Sequence, residues 1–123
     1  MPDEVARAWA LLLRSGGTAP GRDVAREVGW SERHLSAQFT REIGLRPKTA
    51  ARVIRFHRAR RVLHRKVGAG RRPNIAGVAA ECGYFDQAHL IRDWQQFTGL
   101  APTDWIAHEF RKFQVTGGAD PTS

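Results

Sequence analysis

One stretch of this sequence occurs twice, first as Val24-Ala25-Arg26-Glu27-Val28-Gly29-Trp30 and again, 54 residues later, as Val78-Ala79-Ala80-Glu81-Cys82-Gly83-Tyr84. Valine, alanine, glutamate, glycine and an aromatic residue keep the same places in both copies. The repeat continues at an offset of 55, which indicates one inserted residue in the second copy. The continued pairs are Leu35 and Leu90, Phe39 and Trp94, Gly44 and Gly99, Leu45 and Leu100, and Pro47 and Pro102. The chain therefore contains two copies of one structural unit.

Each copy predicts two short helices joined by a turn. Gly29 and Gly83 are expected to end the first helix, because glycine readily adopts the left-handed backbone found there. Ser31 and Asp86 are suitable N-caps for the second helix. Two apolar residues four positions apart would then anchor that helix to a core. This is the spacing of a helix-turn-helix. Solenoid proteins also repeat helical hairpins, but they need at least three units.

A long helix is predicted between the two copies, over about residues 48–66. Its apolar stripe, at intervals of three and four residues, consists of Ala50, Val53, Phe56, Ala59 and Leu63. A helix of about 18 residues is ~27 Å long, close to the ~34 Å between successive major-groove faces of a duplex, so it could act as a spacer. We therefore predict a first lobe over residues 1–47, a linker helix over 48–67, a second lobe over 68–113 and a frayed tail over 114–123.

The net charge of +8 is concentrated in one segment. Residues 43–80 contain eleven lysines and arginines and no acid, whereas the other 85 residues have a net charge of −3. Such a segment attracts phosphate backbones through counterion release, but it would also suit an anionic membrane surface or an acidic protein. We expect most of its arginines, taken one by one, to be solvated or structural.

The composition argues against several other classes of protein. No stretch approaches the ~20 apolar residues that span a bilayer, and Asp3 and Glu4 lie where a secretory signal would be basic. The single cysteine, Cys82, is expected to be a small core residue. The five histidines form no metal-ligand pattern, and no nucleophile motif or phosphate loop occurs. We therefore predict a cytoplasmic protein that is not an enzyme and has no catalytic residues, metal or cofactor.

A longer motif points to a known family. The segment Gly83-Tyr84-Phe85-Asp86-Gln87-Ala88-His89-Leu90-Ile91-Arg92-Asp93-Trp94, followed by Gly99-Leu100-Ala101-Pro102, resembles the signature of the second helix-turn-helix unit in bacterial AraC/XylS-type transcription regulators. The first unit is similar through Val28-Gly29-Trp30-Ser31-Glu32-Arg33-His34-Leu35 and Gly44-Leu45-Arg46-Pro47. The resemblance covers about residues 8–110. It implies an all-α, homeodomain-like fold of about seven helices, with two helix-turn-helix lobes joined by a long linker helix, and sequence-specific binding of double-stranded DNA.

The resemblance also implies roles for individual residues in the second helix of each unit, which enters the major groove in this family. The positions that read bases are Arg33, Ser36 and Ala37 in the first unit and Gln87, Ala88, Ile91 and Arg92 in the second. The positions suited to the DNA backbone are Ser31, Thr40, Arg41 and His89. Arginine can address guanine and glutamine adenine, whereas alanine and isoleucine can at most touch a thymine methyl. We expect Gln87 and Arg92 to carry more of the discrimination than the first unit.

The first unit departs from the family pattern at Pro20-Gly21, where a serine-type cap is usual, so we expect its opening helix to start late. The family usually joins this domain to a ligand-sensing or dimerising domain, and we expect the chain to be an excised fragment or an unusually short member. The full-length regulator could contact RNA polymerase, and we expect it to be associated with the nucleoid. Two alternatives stay open, namely a non-specific architectural DNA-binding protein and a helical protein-interaction module.

Overall fold

The computed structural model describes the backbone of residues 1–116 and the side chains up to Arg111. Seven α-helices and no strands lie in this part of the chain: α1 (Asp3–Arg14), α2 (Gly21–Val28), α3 (Glu32–Ile43), α4 (Pro47–Gly68), α5 (Ile75–Glu81), α6 (Gln87–Thr98) and α7 (Pro102–Thr116). The predicted all-α fold with two helix-turn-helix units is confirmed. The predicted frayed tail begins within α7, and from residue 117 onward it lies outside the described residues.

The chain forms two compact lobes, Met1–Arg60 and the residues from Arg61 onward, which we call the first and second lobe. The boundary falls inside α4, so the first part of that helix belongs to one lobe and the remainder to the other. Each lobe contains one complete helix-turn-helix, α2 with α3 and α5 with α6. The helix predicted over residues 48–67 corresponds to α4, and its role as a linker separate from both lobes stays a prediction.

The core of the first lobe brings together α1, α2, α3 and the start of α4. Its buried residues are Val5, Ala8, Leu12, Val24, Ala25, Val28, Leu35, Phe39, Ala50 and Ala51. The ring of Trp9 in α1 packs on Phe39 with 6.2 Å between the ring centroids. Full burial of a phenylalanine or leucine side chain stabilises the folded state by about 1.5–3 kcal/mol. Leu35 and Phe39 therefore hold α3 against the other helices of this lobe.

The second lobe repeats this construction with different residues. Leu90 and Trp94 of α6 are fully buried, and the Trp94 ring packs edge-on against Trp105 of α7 with 5.3 Å between centroids. Cys82 is 0% exposed, which confirms its assignment to the core. An ion pair between Lys66 Nζ and Glu81 Oε1, at 2.8 Å, joins α4 to α5 at the surface. In each lobe, an aromatic residue of the second helix of the helix-turn-helix, Phe39 or Trp94, thus packs against a tryptophan of a neighbouring helix.

The expectation that the opening helix of the first unit starts late is wrong. Helix α2 begins at Gly21, which is the position equivalent to Ile75 at the start of α5. Pro20 acts as the N-cap without a side-chain hydrogen bond, and its carbonyl accepts from the N–H groups of Asp23 and Val24 at 3.0 and 3.1 Å. The backbone of an extended proline can therefore begin the helix where a serine side chain is absent.

The apolar stripe predicted for α4 is correct at four positions and wrong at Val53, which is 39% exposed. Ala51, outside the predicted stripe, is buried next to Ala50 in the core of the first lobe. Val53 lies two residues, or about 200°, further around the helix than Ala51. It therefore faces away from Ala51 but lies only about 60° around the helix from Ala50, which places Val53 at the edge of the face that the core contacts.

Candidate nucleic-acid interface

The two candidate recognition helices, α3 and α6, are built alike. Each has 12 residues, and every residue of α3 has its counterpart in α6 at the offset of 55. Ser31 Oγ accepts a hydrogen bond from the His34 N–H at 3.1 Å, and Asp86 Oδ1 accepts one from the His89 N–H at 2.8 Å. Both predicted N-caps are present. The caps fix the first turn of each helix, which is the part that approaches base edges in helix-turn-helix proteins.

The turns before these helices share one backbone arrangement. Gly29 and Gly83 both have a φ of +81°, the left-handed conformation that the sequence predicted. The following aromatic residue donates its N–H to an alanine carbonyl five residues earlier, Trp30 to Ala25 and Tyr84 to Ala79, both at 2.9 Å. The first turn comprises residues 29–31 and the second residues 82–86. The second is longer because it contains the inserted residue and because α5 ends one position earlier than α2.

An aromatic ring from each turn braces the start of the recognition helix. Trp30 packs edge-on against the His34 ring with 4.5 Å between centroids, and Tyr84 packs in the same way against His89 at 4.9 Å. Tyr84 is buried and Trp30 is half-buried. The turn and the first helical turn therefore form one packed element in each lobe, which holds the side chains that follow in fixed directions.

The predicted contact residues of the first unit share one face of α3. Arg33, Ala37 and Arg41 are exposed, and Ser36 and Thr40 are half-buried. These five positions recur at intervals of three and four residues, on the opposite side of the helix from its buried anchors. The remaining predicted residue, Ser31, is exposed, but its hydroxyl oxygen already accepts the capping hydrogen bond. Its hydroxyl proton stays available to donate.

The predicted contact residues of the second unit also lie outside the core. Gln87, Ala88 and Arg92 are exposed, while Ile91 and His89 are half-buried. The Nδ1 atom of His89 accepts a hydrogen bond from the Phe85 backbone N–H at 3.2 Å. In a neutral imidazole this leaves the proton on Nε2, so only that nitrogen can donate to another molecule.

Two exposed residues near α6 were not predicted as site residues. Gln95 is exposed one turn beyond Ile91. It is the counterpart of Thr40 at the offset of 55, so the repeat could have indicated it as a site residue. Phe85 is the inserted residue of the second turn, and it is 91% exposed. The sequence indicated an insertion there but not the environment of its side chain.

The basic segment has mixed roles. The Arg55 guanidinium donates from Nη2 to the Gly17 carbonyl at 2.9 Å, and Lys66 pairs with Glu81, so these two cations stabilise their own lobes. Arg71 and Arg72 are exposed in the loop before α5. They supply positive charge beside the second helix-turn-helix, where long-range attraction to phosphate does not require a fixed geometry.

The comparison with protein families agrees with this geometry. The model of a family described as "Helix-turn-helix domain" matches residues 24–108, which include both units and α4. The two helix-turn-helix units define a DNA-binding domain. The chain belongs to this family and is an AraC-type helix-turn-helix domain, a class of DNA-binding proteins that are not enzymes.

One relative, from Bacillus subtilis, is similar to this chain over part of its length. The chain is 34% identical, over 68 residues, to a Bacillus subtilis protein described as the uncharacterized HTH-type transcriptional regulator YbfI; the match covers 55% of this chain and 22% of that protein. The chain thus spans about a fifth of the length of this relative.

Solved structures share the fold at low sequence identity. The C-terminal domain of AraT, a response regulator from Geobacillus stearothermophilus, has a TM-score of 0.75 at 20% identity, covering 87% of this chain and 86% of that one. An AraC-type transcriptional regulator from Chromobacterium violaceum has a TM-score of 0.72 at 22% identity, covering 85% of this chain and 90% of that one.

Within the described residues of the present chain, no helix is both long and apolar enough to cross a membrane.

Proposed function

We propose that this domain recognises a specific sequence in double-stranded DNA by inserting α3 and α6 into neighbouring segments of the major groove. The observation that carries the proposal is the matched construction of the two helices, each capped at its first turn and each with an exposed face opposite its buried anchors. Residues at the N-terminal end of such helices contact base edges in helix-turn-helix complexes.

The side chains on the two faces suggest unequal contributions. Arg92 and Arg33 can each donate two hydrogen bonds to the O6 and N7 atoms of guanine, and Gln87 can pair with adenine. The apolar members, Ala37, Ala88 and Ile91, offer contacts to thymine methyl groups, and Ser36 adds one hydroxyl. The second unit has two strong hydrogen-bonding readers, whereas the first has one. We therefore assign most of the discrimination to α6.

Contacts to the DNA backbone would set the register of these helices. The proposed phosphate-contacting residues are Ser31, Thr40, Arg41 and His89. Three can donate hydrogen bonds through a hydroxyl or through Nε2, and Arg41 contributes a full positive charge. The N-terminus of each recognition helix also favours phosphate through its partial positive charge.

The site that such a domain reads should be asymmetric. Both units run in the same direction along the chain and carry different side chains at equivalent positions. One protomer would therefore bind two unlike half-sites in a fixed order, in contrast to a symmetric dimer on a palindrome.

We further propose that the domain serves a transcription regulator. The Bacillus subtilis relative is described as one, and this chain matches only part of its length. An effector-binding domain and any contact to RNA polymerase would belong to other parts of such a protein, acting in the cytoplasm at the nucleoid.

Selection from random duplexes tests the proposal. The purified chain is incubated with a pool of randomised DNA, and the retained fragments are sequenced. We expect enrichment of a gapped, asymmetric site with two short elements about one helical turn apart. Binding without enrichment would overturn the proposal in favour of an architectural protein, and absence of binding at low salt would overturn it in favour of a protein-interaction module.

A further inference from the structure

Phe85 has the most exposed side chain among the large hydrophobic residues that the structure describes. It is 91% exposed, compared with 69% for Met1 and 50% for Leu13. A phenyl ring in this position contributes almost no burial to the fold, so its presence is not explained by stability. The first unit offers no counterpart, because Phe85 is the inserted residue and the aromatic residue of the first turn, Trp30, is equivalent to Tyr84.

The backbone on both sides of Phe85 is fixed. On one side, Tyr84 is buried and donates its N–H to the Ala79 carbonyl at 2.9 Å. On the other side, Asp86 caps α6, and the Phe85 N–H itself donates to His89 Nδ1. An exposed ring on a fixed backbone is prepared to bind with little loss of conformational entropy.

We propose that Phe85 reads a thymine, by packing its ring against the 5-methyl group at one edge of the DNA segment that α6 contacts. This inference rests on the proposed function, since it requires α6 to lie in the major groove. Phe85 precedes Gln87 by two residues, at the end of the helix that approaches base edges. The thymine methyl is the apolar group that bases present in this groove, and phenylalanine is among the side chains suited to it.

The proposal is tested by selection and by removal of one methyl group. Wild-type protein and Phe85→Ala are each used to select duplexes from a random pool. Each thymine of the wild-type site is then replaced by deoxyuridine, which lacks only the 5-methyl group. For wild type we expect one thymine at the α6 end whose replacement weakens binding about four-fold, the value for burying one methyl. For Phe85→Ala we expect weaker binding to the thymine duplex and no response to that replacement.

Phe97→Ala is the control for removal of a phenyl ring elsewhere in α6, and its unfolding temperature is measured as well because the Phe97 ring is only 37% exposed. It removes the same side chain from the far end of α6, about 15 Å along the helix axis from Gln87. This variant should keep the preference for thymine and the response to deoxyuridine. Phe85→Leu, which keeps an apolar side chain, should retain part of both. Thermal unfolding of Phe85→Ala should match that of wild type, because the ring is exposed.

Three results would overturn the inference. If wild type enriches a site and Phe85→Ala binds it equally well, Phe85 makes no contact and the proposed function stands. If Phe85→Ala binds less tightly but keeps the same response to every deoxyuridine, the ring contacts something other than a thymine methyl. If wild type enriches no site, the proposed function fails and the inference fails with it.

Discussion

Replacing Gly17 with alanine is expected to destabilise the first lobe much more than replacing Gly29. The two glycines have nearly the same backbone conformation, with φ of +80° and +81°. They differ in their surroundings. A Cβ atom at Gly29 would meet nothing within 4 Å, whereas one at Gly17 would lie 2.2 Å from the carbonyl oxygen of Ala51 in α4. The pair therefore separates the cost of the conformation from the cost of the contact.

The magnitudes follow from these distances. A left-handed residue with a Cβ costs roughly 1–2 kcal/mol, and both variants bear that cost. At Gly17 the loop must also move away from α4, and forcing extra atoms into a packed region costs about 1–3 kcal/mol. The movement strains the 2.9 Å hydrogen bond from Arg55 to the Gly17 carbonyl, worth about 1.5–3 kcal/mol because its donor is charged. We expect a loss of about 3–5 kcal/mol for Gly17→Ala and about 1–2 kcal/mol for Gly29→Ala.

Urea unfolding followed by circular dichroism and tryptophan fluorescence measures both losses. Trp9 and Trp30 report on the first lobe, and Trp94 and Trp105 on the second. We expect the midpoint of the first-lobe transition to fall much further for Gly17→Ala, with a similar slope for both variants. Equal stability of the two variants would refute the reasoning, because it would mean that α1, the loop and α4 do not pack as closely as described.

Two further predictions concern the second unit. Asp86→Ala should lower the stability of the second lobe by about 1 kcal/mol, because the His89 N–H loses its acceptor, while Asp86→Asn should lose only a small part of this. Thermal unfolding of both variants checks this, and an equal loss for Asn and Ala would show that the hydrogen bond to the His89 N–H is not the source of the stabilisation. Cys82, which is 0% exposed, should react with a thiol reagent only as fast as the protein unfolds. Rapid modification of the native protein would place the thiol at the surface.

Much of the fold could be predicted because the decisive signals are local. Glycine at a left-handed position, a capping side chain and two apolar residues at helical spacing act within a few residues of one another, so the repeat predicted both helix-turn-helix units. The start of α2 was harder to predict, because the helix begins at Gly21 with the backbone carbonyl of Pro20 as acceptor and without any side-chain cap. Val53 was misplaced because burial along α4 depends on which helices pack against it.

The exposed faces of α3 and α6 could be predicted, but the hydrogen bonds and the exposure of individual side chains near them could not. The resemblance to the AraC/XylS family implied that Arg33 and Arg92 are base-reading residues, and both side chains are exposed in the structure. The internal hydrogen bond to His89 Nδ1 depends on the inserted Phe85, whose backbone position no local rule gives. The exposure of the Phe85 ring likewise becomes visible only when the turn is folded.

The central claim is that two different helices of one chain read two different ends of a DNA site. Selection from random duplexes with wild type, Arg92→Ala, Arg33→Ala and the control Arg111→Ala, an exposed arginine outside both units, tests it most directly. We predict that Arg92→Ala loses base preference at one end, with a cost of about 1–3 kcal/mol, that Arg33→Ala loses it at the other, and that Arg111→Ala keeps the wild-type site. Uniform weakening on every sequence, or the same unaltered site for all four proteins, would contradict the claim.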